Sequence, residues 1–202
     1  MRGKVRDSTT KEGISDVLIS TTPSTKTAIS DSNGTFIISD IEGGNYILHF
    51  LKKGYHHDSL LVNVGKYESK DIKHDLRKID YKKDITLSTD YLTYHFKGNT
   101  LVIPIRIKNH TDTTIYYGKC GGTPIFATSK YNNGNWSMSG FWGNPCLAIY
   151  LWETMNVQPY SSSFDSLYVT STGIYKFFLL YGWSYENSIS DTLVSNQFEV
   201  VE

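Results

Sequence analysis

The chain has 202 residues, enough for one large β domain or two small ones, and its 20 Lys and Arg balance 20 Asp and Glu. With no basic block and no arginine-rich face, a nucleic-acid partner is excluded from the reading. The 15 Tyr, 9 Phe and 4 Trp, set among many Thr, Ser, Ile and Val, suit pleated, half-buried strands and point to an all-β protein.

From Gly3 to Leu76 short apolar runs alternate with turn signals: "GKVRD", "VLISTT", "TAIS", "TFIIS", "YILHFL", "SLLVNV" and "KDIKHDL". Seven strands in so short a span predict a small sandwich. Tyr46, Leu48 and Phe50 alternate onto one face as core candidates. The Gly43-Gly44 pair is expected to supply positive φ for a tight hairpin between "TFIIS" and "NYILHF".

"DSNG" (Asp31 to Gly34) has the residues of a calcium loop as well as those of a turn. Oxygen ligands are needed at loop positions 1, 3, 5 and 12 with Gly at 6. Counting from Asp31 places Phe36 where Gly is required; placing Gly34 there puts Ile29 at the first ligand. A hairpin turn, in which Asp and Asn bond their own backbone, suffices.

These motifs together, "GKVRD", "GISDVLIS", "TAISDSNGTFIISDIEGGNYIL" and "KKGY" leading into "LLVNV", resemble the carboxypeptidase regulatory-like domain over residues 1 to 78. The resemblance implies a seven-stranded transthyretin-like sandwich, an accessory module of many extracytoplasmic proteins. Lys11-Glu12 replaces the family's small Gly-containing turn, a change confined to a loop. No metallopeptidase signature follows, so regulation of a peptidase in the same chain is not expected.

"RKIDYKKD" (Arg77 to Asp84) is charged and aperiodic and is read as a linker. The expected domains are therefore 1 to 78 and 79 to 202. Beyond it come "DITLS", "YLTYHF", "TLVIPIRIKN", "TTIYYG", "PIFATSKY", "NWSM", "LAIYLW", "SSSFDSLYV", "GIYKFFLLYGW" and "SNQFEVV". Leu101, Ile103, Ile105 and Ile107 face inward, with Pro104 outward near an edge. "KNHTDTTIYY" and "GIYKFFLLY" resemble bacterial immunoglobulin-like modules, implying a second, immunoglobulin-like β-sandwich.

No Ser-elbow motif and no recognisable Cys-His arrangement is present, so no catalytic residue and no cofactor is predicted and the protein is read as a non-enzyme. His56, His57 and Asp58 could ligate a metal, but adjacent strand residues point to opposite faces, and two polar residues at a strand entrance explain them better. Cys120 and Cys146 lack zinc spacing and form either a disulfide or two buried thiols. A bridge would restrain the unfolded chain by about 3 kcal/mol and imply oxidising surroundings.

Aromatic residues are the remaining functional material. Tyr131, Trp136, Phe141 and Trp142 lie in or beside a Gly/Asn-rich loop, and Trp152 and Trp183 end apolar runs. Trp136 is expected to pack as a strand residue in the core. Phe141, Trp142, Trp183 and Tyr131 are the candidate ligand-binding residues, since exposed aromatics stack on sugars and anchor proteins.

Five Asp-Ser/Thr tripeptides, beginning at Asp7, Asp58, Asp112, Asp165 and Asp191, resemble the O-glycosylation acceptor of Bacteroidota. The resulting expectation is a non-enzymatic binding or assembly module of the periplasm or cell surface, with a protein or glycan partner. "MRGK" has no apolar region and no run reaches the ~20 residues of a membrane span, so either the protein is cytosolic or a signal has been removed. The extracytoplasmic expectation selects the second, with a signal or lipoprotein segment, and with it a lipid anchor, ahead of Met1. The alternatives are a carbohydrate-binding protein and a peptidase inhibitor presenting a loop near residues 134 to 146.

Overall fold

A computed structural model of the chain describes residues 1–66, 68–142, 152–182 and 189–202, with the backbone alone at 139–142, 152, 189 and 190. Among the described residues there are 19 strands and no helix, the all-β class expected. Two compact units divide the chain, Met1–Ile79 and Asp80–Glu202.

The first unit contains β1 (Arg2–Asp7), β2 (Leu18–Thr22), β3 (Ala28–Ile29), β4 (Thr35–Ile37), β5 (Gly44–Leu51), β6 (Asp58–Val64) and β7 (Asp71–Leu76). They form a three-stranded sheet, β4-β1-β7, and a four-stranded sheet, β3-β2-β5-β6. One core joins the inward residues of both: Val5, Phe36, Ile72 and Leu76 from the first sheet, and Ile19, Tyr46, Leu48, Phe50 and Val62 from the second. Phe36 and Phe50 meet edge to face across the interior, with centroids 6.2 Å apart.

The strands are those expected, but two reversals are not hairpins. β3 pairs with β2 whereas β4 pairs with β1, so "DSNG" carries the chain from one sheet to the other. Asp31 Oδ1 accepts the amides of Asn33 and Thr35 at 2.8 Å each, and Gly34 has φ 78°. The carboxylate that suggested calcium is used to close the turn.

The β4–β5 connection likewise switches sheets, since β5 pairs with β2 and β6. Its positive φ falls on Asp40 (55°), not on the Gly43-Gly44 pair. Gly43 is needed for another reason: a Cβ there would lie 2.9 Å from the Lys66 amide nitrogen.

"RKIDYKKD" is not an unstructured spacer. Ile79 is buried and donates its amide to Gly54 O at 2.9 Å, and the Arg77 carbonyl accepts from His56 N. Asp80 and Asp84 close a turn of the second unit, with the Asp84 amide on Asp80 O at 2.8 Å and the Asp80 amide on Asp84 Oδ2 at 2.8 Å. Charge without apolar periodicity signals exposed side chains, and such a backbone can still be fully bonded.

In the second unit β8 (Ile85–Thr89), β10 (Leu101–Asn109) and β16 (Ser161–Val169) form one sheet in the order β16-β10-β8. The other is nine-stranded. It holds β9 (Thr93–His95), β11 (Ile115–Cys120), β12 (Thr123–Pro124), β13 (Phe126–Asn132) and β14 (Asn135–Trp142). Its remaining strands are β15 (Trp152–Val157), β17 (Gly173–Gly182), β18 (Ile189–Val194) and β19 (Phe198–Val201).

Ile103, Ile105 and Ile107 are buried as expected and pack with Tyr117, Phe126, Phe177 and Leu179 from the opposite sheet. Pro104 is exposed as expected, but β10 is the middle strand of its sheet: Pro104 stands opposite Ser166 on β16 and lies past the end of β8 only on the other side, where Thr89 pairs with Ile105. The missing N–H therefore costs no bond to β8.

Candidate functional site

The aromatic residues are organised by a hairpin. Asn133 (φ 47°) and Gly134 (φ 87°) form the two-residue turn that matches the twist of paired strands, and Asn132 sits opposite Asn135. This register places Tyr131 directly across from Trp136. Their rings are 5.3 Å apart and tilted by 55°, and each residue is 39% exposed.

β13 continues into β17, with Ser129 opposite Lys176, Ala127 opposite Phe178 and Tyr131 opposite Ile174. The Lys176 ammonium stands 4.5 Å from the centre of the Trp136 indole, a cation–π contact that holds the ring. Met138, across from Ser129, is 60% exposed, and Val194, across from Phe178 on β18, is 49% exposed. Tyr131, Trp136, Met138, Lys176, Phe178 and Val194 thus occupy the outward face of the nine-stranded sheet, whose other face is core. Lys176 and Phe178 are half-buried, and Ala127 and Ser129 between them and Met138 are buried, so the exposed part of the face is Tyr131, Trp136, Met138 and Val194. Exposed apolar groups beside a rigid aromatic pair are a usual make-up of a docking surface.

Of the four residues singled out in the sequence, Tyr131 lies on this face. Phe141 and Trp142 belong to β14, opposite Ala127 and Phe126, so they are strand residues and not the loop residues expected; their side chains lie outside the described residues. Trp183 and Cys146 lie outside them as well. Cys120 ends β11 opposite Trp152, and no free cysteine occurs among the described residues. Trp136, expected in the core, is instead partner to Tyr131. The signal that would have found it is "NG" between two apolar runs, which fixes the pairing.

Other groups are absorbed by the fold. Asp58 Oδ2 lies 3.1 Å from His74 Nε2, and His56 is half-buried while His57 is exposed. Among the described residues no cluster of His, Cys, Asp and Glu could hold a metal. A groove of about 720 Å³ beside β5 is lined by Asp40, Glu42, Lys66 and Glu68, but Asp40 pairs with Lys26 and Glu68 accepts the Gly65 amide.

The first unit has the seven strands in two sheets that its motifs implied, although two of its reversals cross between the sheets. Residues 1–87 match a family model of the CarboxypepD_reg-like domain. The CarboxypepD_reg-like match takes in the whole first unit and, of the second, the opening turn and the first three residues of β8. No curated protein matches the chain.

Among solved structures, a candidate carbohydrate-binding protein of Bacteroides uniformis aligns over 100% of this chain and 97% of its own, at 10% identity and TM-score 0.35. The major pilin subunit of Bacillus cereus aligns over 99% and 68%, at 10% and 0.32. The D0-D1 domain of intimin aligns over 100% and 98%, at 11% and 0.33. Scores this low transfer neither a ligand nor a function.

Proposed function

We propose that the protein is a non-catalytic binding module of the cell envelope, in which the CarboxypepD_reg-like unit is an accessory sandwich and the outward face of β14, β13, β17 and β18 docks a protein partner. The observation that carries this reading is the Tyr131–Trp136 pair with exposed Met138 and Val194 beside it. Aromatic and Met side chains are enriched where protein partners bury surface, and a hairpin set by a two-residue turn presents them with little ordering cost.

The glycan reading is less favoured by the same geometry. Lys176 already covers one face of the Trp136 ring, the surface on which a sugar would stack. The inhibitor reading loses its basis over residues 135–142, because β14 is paired along β13 and is not a loop free to enter an active site.

Cross-linking of the intact protein to envelope proteins of its source cells tests the proposal. The wild type is expected to yield a discrete adduct through this face, reduced at least tenfold by Trp136→Ala or Tyr131→Ala, the loss of about 1.4 kcal/mol or more typical of an anchor residue. An adduct unchanged in both variants would sink the assignment. Quenching of tryptophan fluorescence by a polysaccharide, with no protein adduct, would replace it by the glycan reading.

Placement outside the cytoplasm is part of the proposal and is supported by exposed Ser59 and Thr192 in two of the Asp-Ser/Thr tripeptides; a bridge between Cys120 and Cys146 belongs to it as an expectation. Unfolded without reductant, the protein is expected to leave both cysteines unlabelled by a maleimide. Labelling of both would overturn that expectation.

A further inference from the structure

Strands β11 and β16 belong to different sheets of the second unit, and each turns a polar residue inward near its middle or end. Lys119 follows Ile115 and Tyr117 in the alternation of β11, and Asp165 precedes Leu167 and Val169 in that of β16. The Lys119 Nζ lies 2.7 Å from Asp165 Oδ2, with side chains only 15% and 9% exposed. Tyr117 donates its hydroxyl to the same Oδ2 at 3.1 Å and lies 3.4 Å from Ser163 Oγ.

An ion pair in such a place is poorly repaid, since desolvation of both charges offsets most of their attraction. A neutral product made from the same two groups would remove that cost. The two groups are also held in hydrogen-bond contact, so that a reaction that is slow between free molecules becomes effectively unimolecular.

We propose that Lys119 and Asp165 condense to an intramolecular amide that ties the two sheets of the second unit together. The Lys119 ammonium passes a proton to the Asp165 carboxylate along their hydrogen bond. The Nζ lone pair then attacks Cγ and forms the N–C bond. The tetrahedral centre collapses with cleavage of one Cγ–O bond, and that oxygen leaves as water with two protons from the former ammonium. One N–C bond forms, one C–O bond breaks, one water is released, and no oxidant or cofactor is required.

Tyr117 donates to Oδ2, the oxygen that takes the Lys119 proton and leaves as water, and so steadies it as the Cγ–O bond breaks. Burial pushes its hydroxyl up to about 12, so it stays protonated and able to donate at neutral pH. It is a positioning and stabilising group; the reacting atoms belong to Lys119 and Asp165.

Intact-mass measurement of the reduced, denatured full chain tests this directly. The wild type is expected one water lighter than its sequence mass. Lys119→Arg and Asp165→Ala are each expected at the full mass of their own sequences, and Tyr117→Phe to lose the water more slowly. Tryptic digestion should leave the bond after Lys119 uncut and yield a branched peptide joining the segments that hold Lys119 and Asp165. A wild-type chain at its full sequence mass overturns the proposal. So does a water loss that maps to a linear peptide containing Asp165, which would be cyclisation onto its own backbone.

Discussion

Replacing Gly34 by alanine is expected to destabilise the first unit by about 3 kcal/mol or more, while leaving the unfolding of the second unit unchanged. Two effects add at this position. Its φ of 78° lies in the left-handed region, which costs an alanine about 1–2 kcal/mol. The larger effect is steric: a Cβ would stand 2.2 Å from the Val5 carbonyl oxygen and 2.8 Å from Gly13 Cα.

Those neighbours cannot yield easily. Gly34 O accepts the Val5 amide at 2.8 Å and Val5 O accepts the Ile14 amide at 3.0 Å, so moving either backbone breaks bonds that fix β1. Gly54→Ala provides the control, with φ 84° and no atom within 4 Å of the added Cβ. All 4 Trp lie after residue 80, so tryptophan fluorescence reports the second unit alone and far-ultraviolet circular dichroism reports both. In urea, Gly34→Ala should lower the dichroism transition and leave the fluorescence midpoint in place. If Gly34→Ala and Gly54→Ala cost the same within 1 kcal/mol, the close approach described here is wrong.

The contrast between the halves explains what could be read from residues. In the first unit each strand is a short apolar run closed by Gly, Asn or Asp, and alternation such as Tyr46, Leu48 and Phe50 assigns faces by itself. What alternation does not carry is which sheet a strand joins. A turn like "DSNG" has the same local chemistry whether its strands pair with each other or leave for opposite sheets, so both reversals were expected as hairpins. Asp40 shows the same limit, since a positive φ there is fixed by the crossing and not by a glycine.

In the second unit the strands that escaped the reading have weak patterns. "WETMNV" exposes four of the five residues after Trp152 to some degree, and "ISDTLV" has polar residues in its middle, so neither shows a clean apolar face. The docking face was partly visible, through Tyr131. Trp136 was assigned to the core because a tryptophan in a strand is usually buried on average. Only the Asn133-Gly134 register, which sets it against Tyr131 on the outward face, decides otherwise. Lys119 and Asp165 could not be associated at all, being 46 residues apart on strands of different sheets.

Phe177→Ala should have the opposite signature to Gly34→Ala, lowering the fluorescence-detected transition of the second unit by about 3–5 kcal/mol and leaving the first unit intact. Phe177 is completely buried in the middle of β17, the strand that pairs with β11, β13, β18 and β19. Its ring lies 5.5 Å from Phe126, edge on, and 4.9 Å from Phe198, which in turn meets Tyr175 and Tyr94. Truncation removes the centre of that cluster and leaves a cavity whose walls are strands bonded on both sides, so relaxation into it is limited. A conservative replacement, Phe177→Leu, should recover more than half of the loss because it fills most of the volume. The Tyr131–Trp136 pair sits on the opposite face of the same sheet, so cross-linking in Phe177→Leu should persist at temperatures below its transition. Loss of the adduct in a folded Phe177→Leu protein would mean that docking depends on the interior and not on the outward face alone.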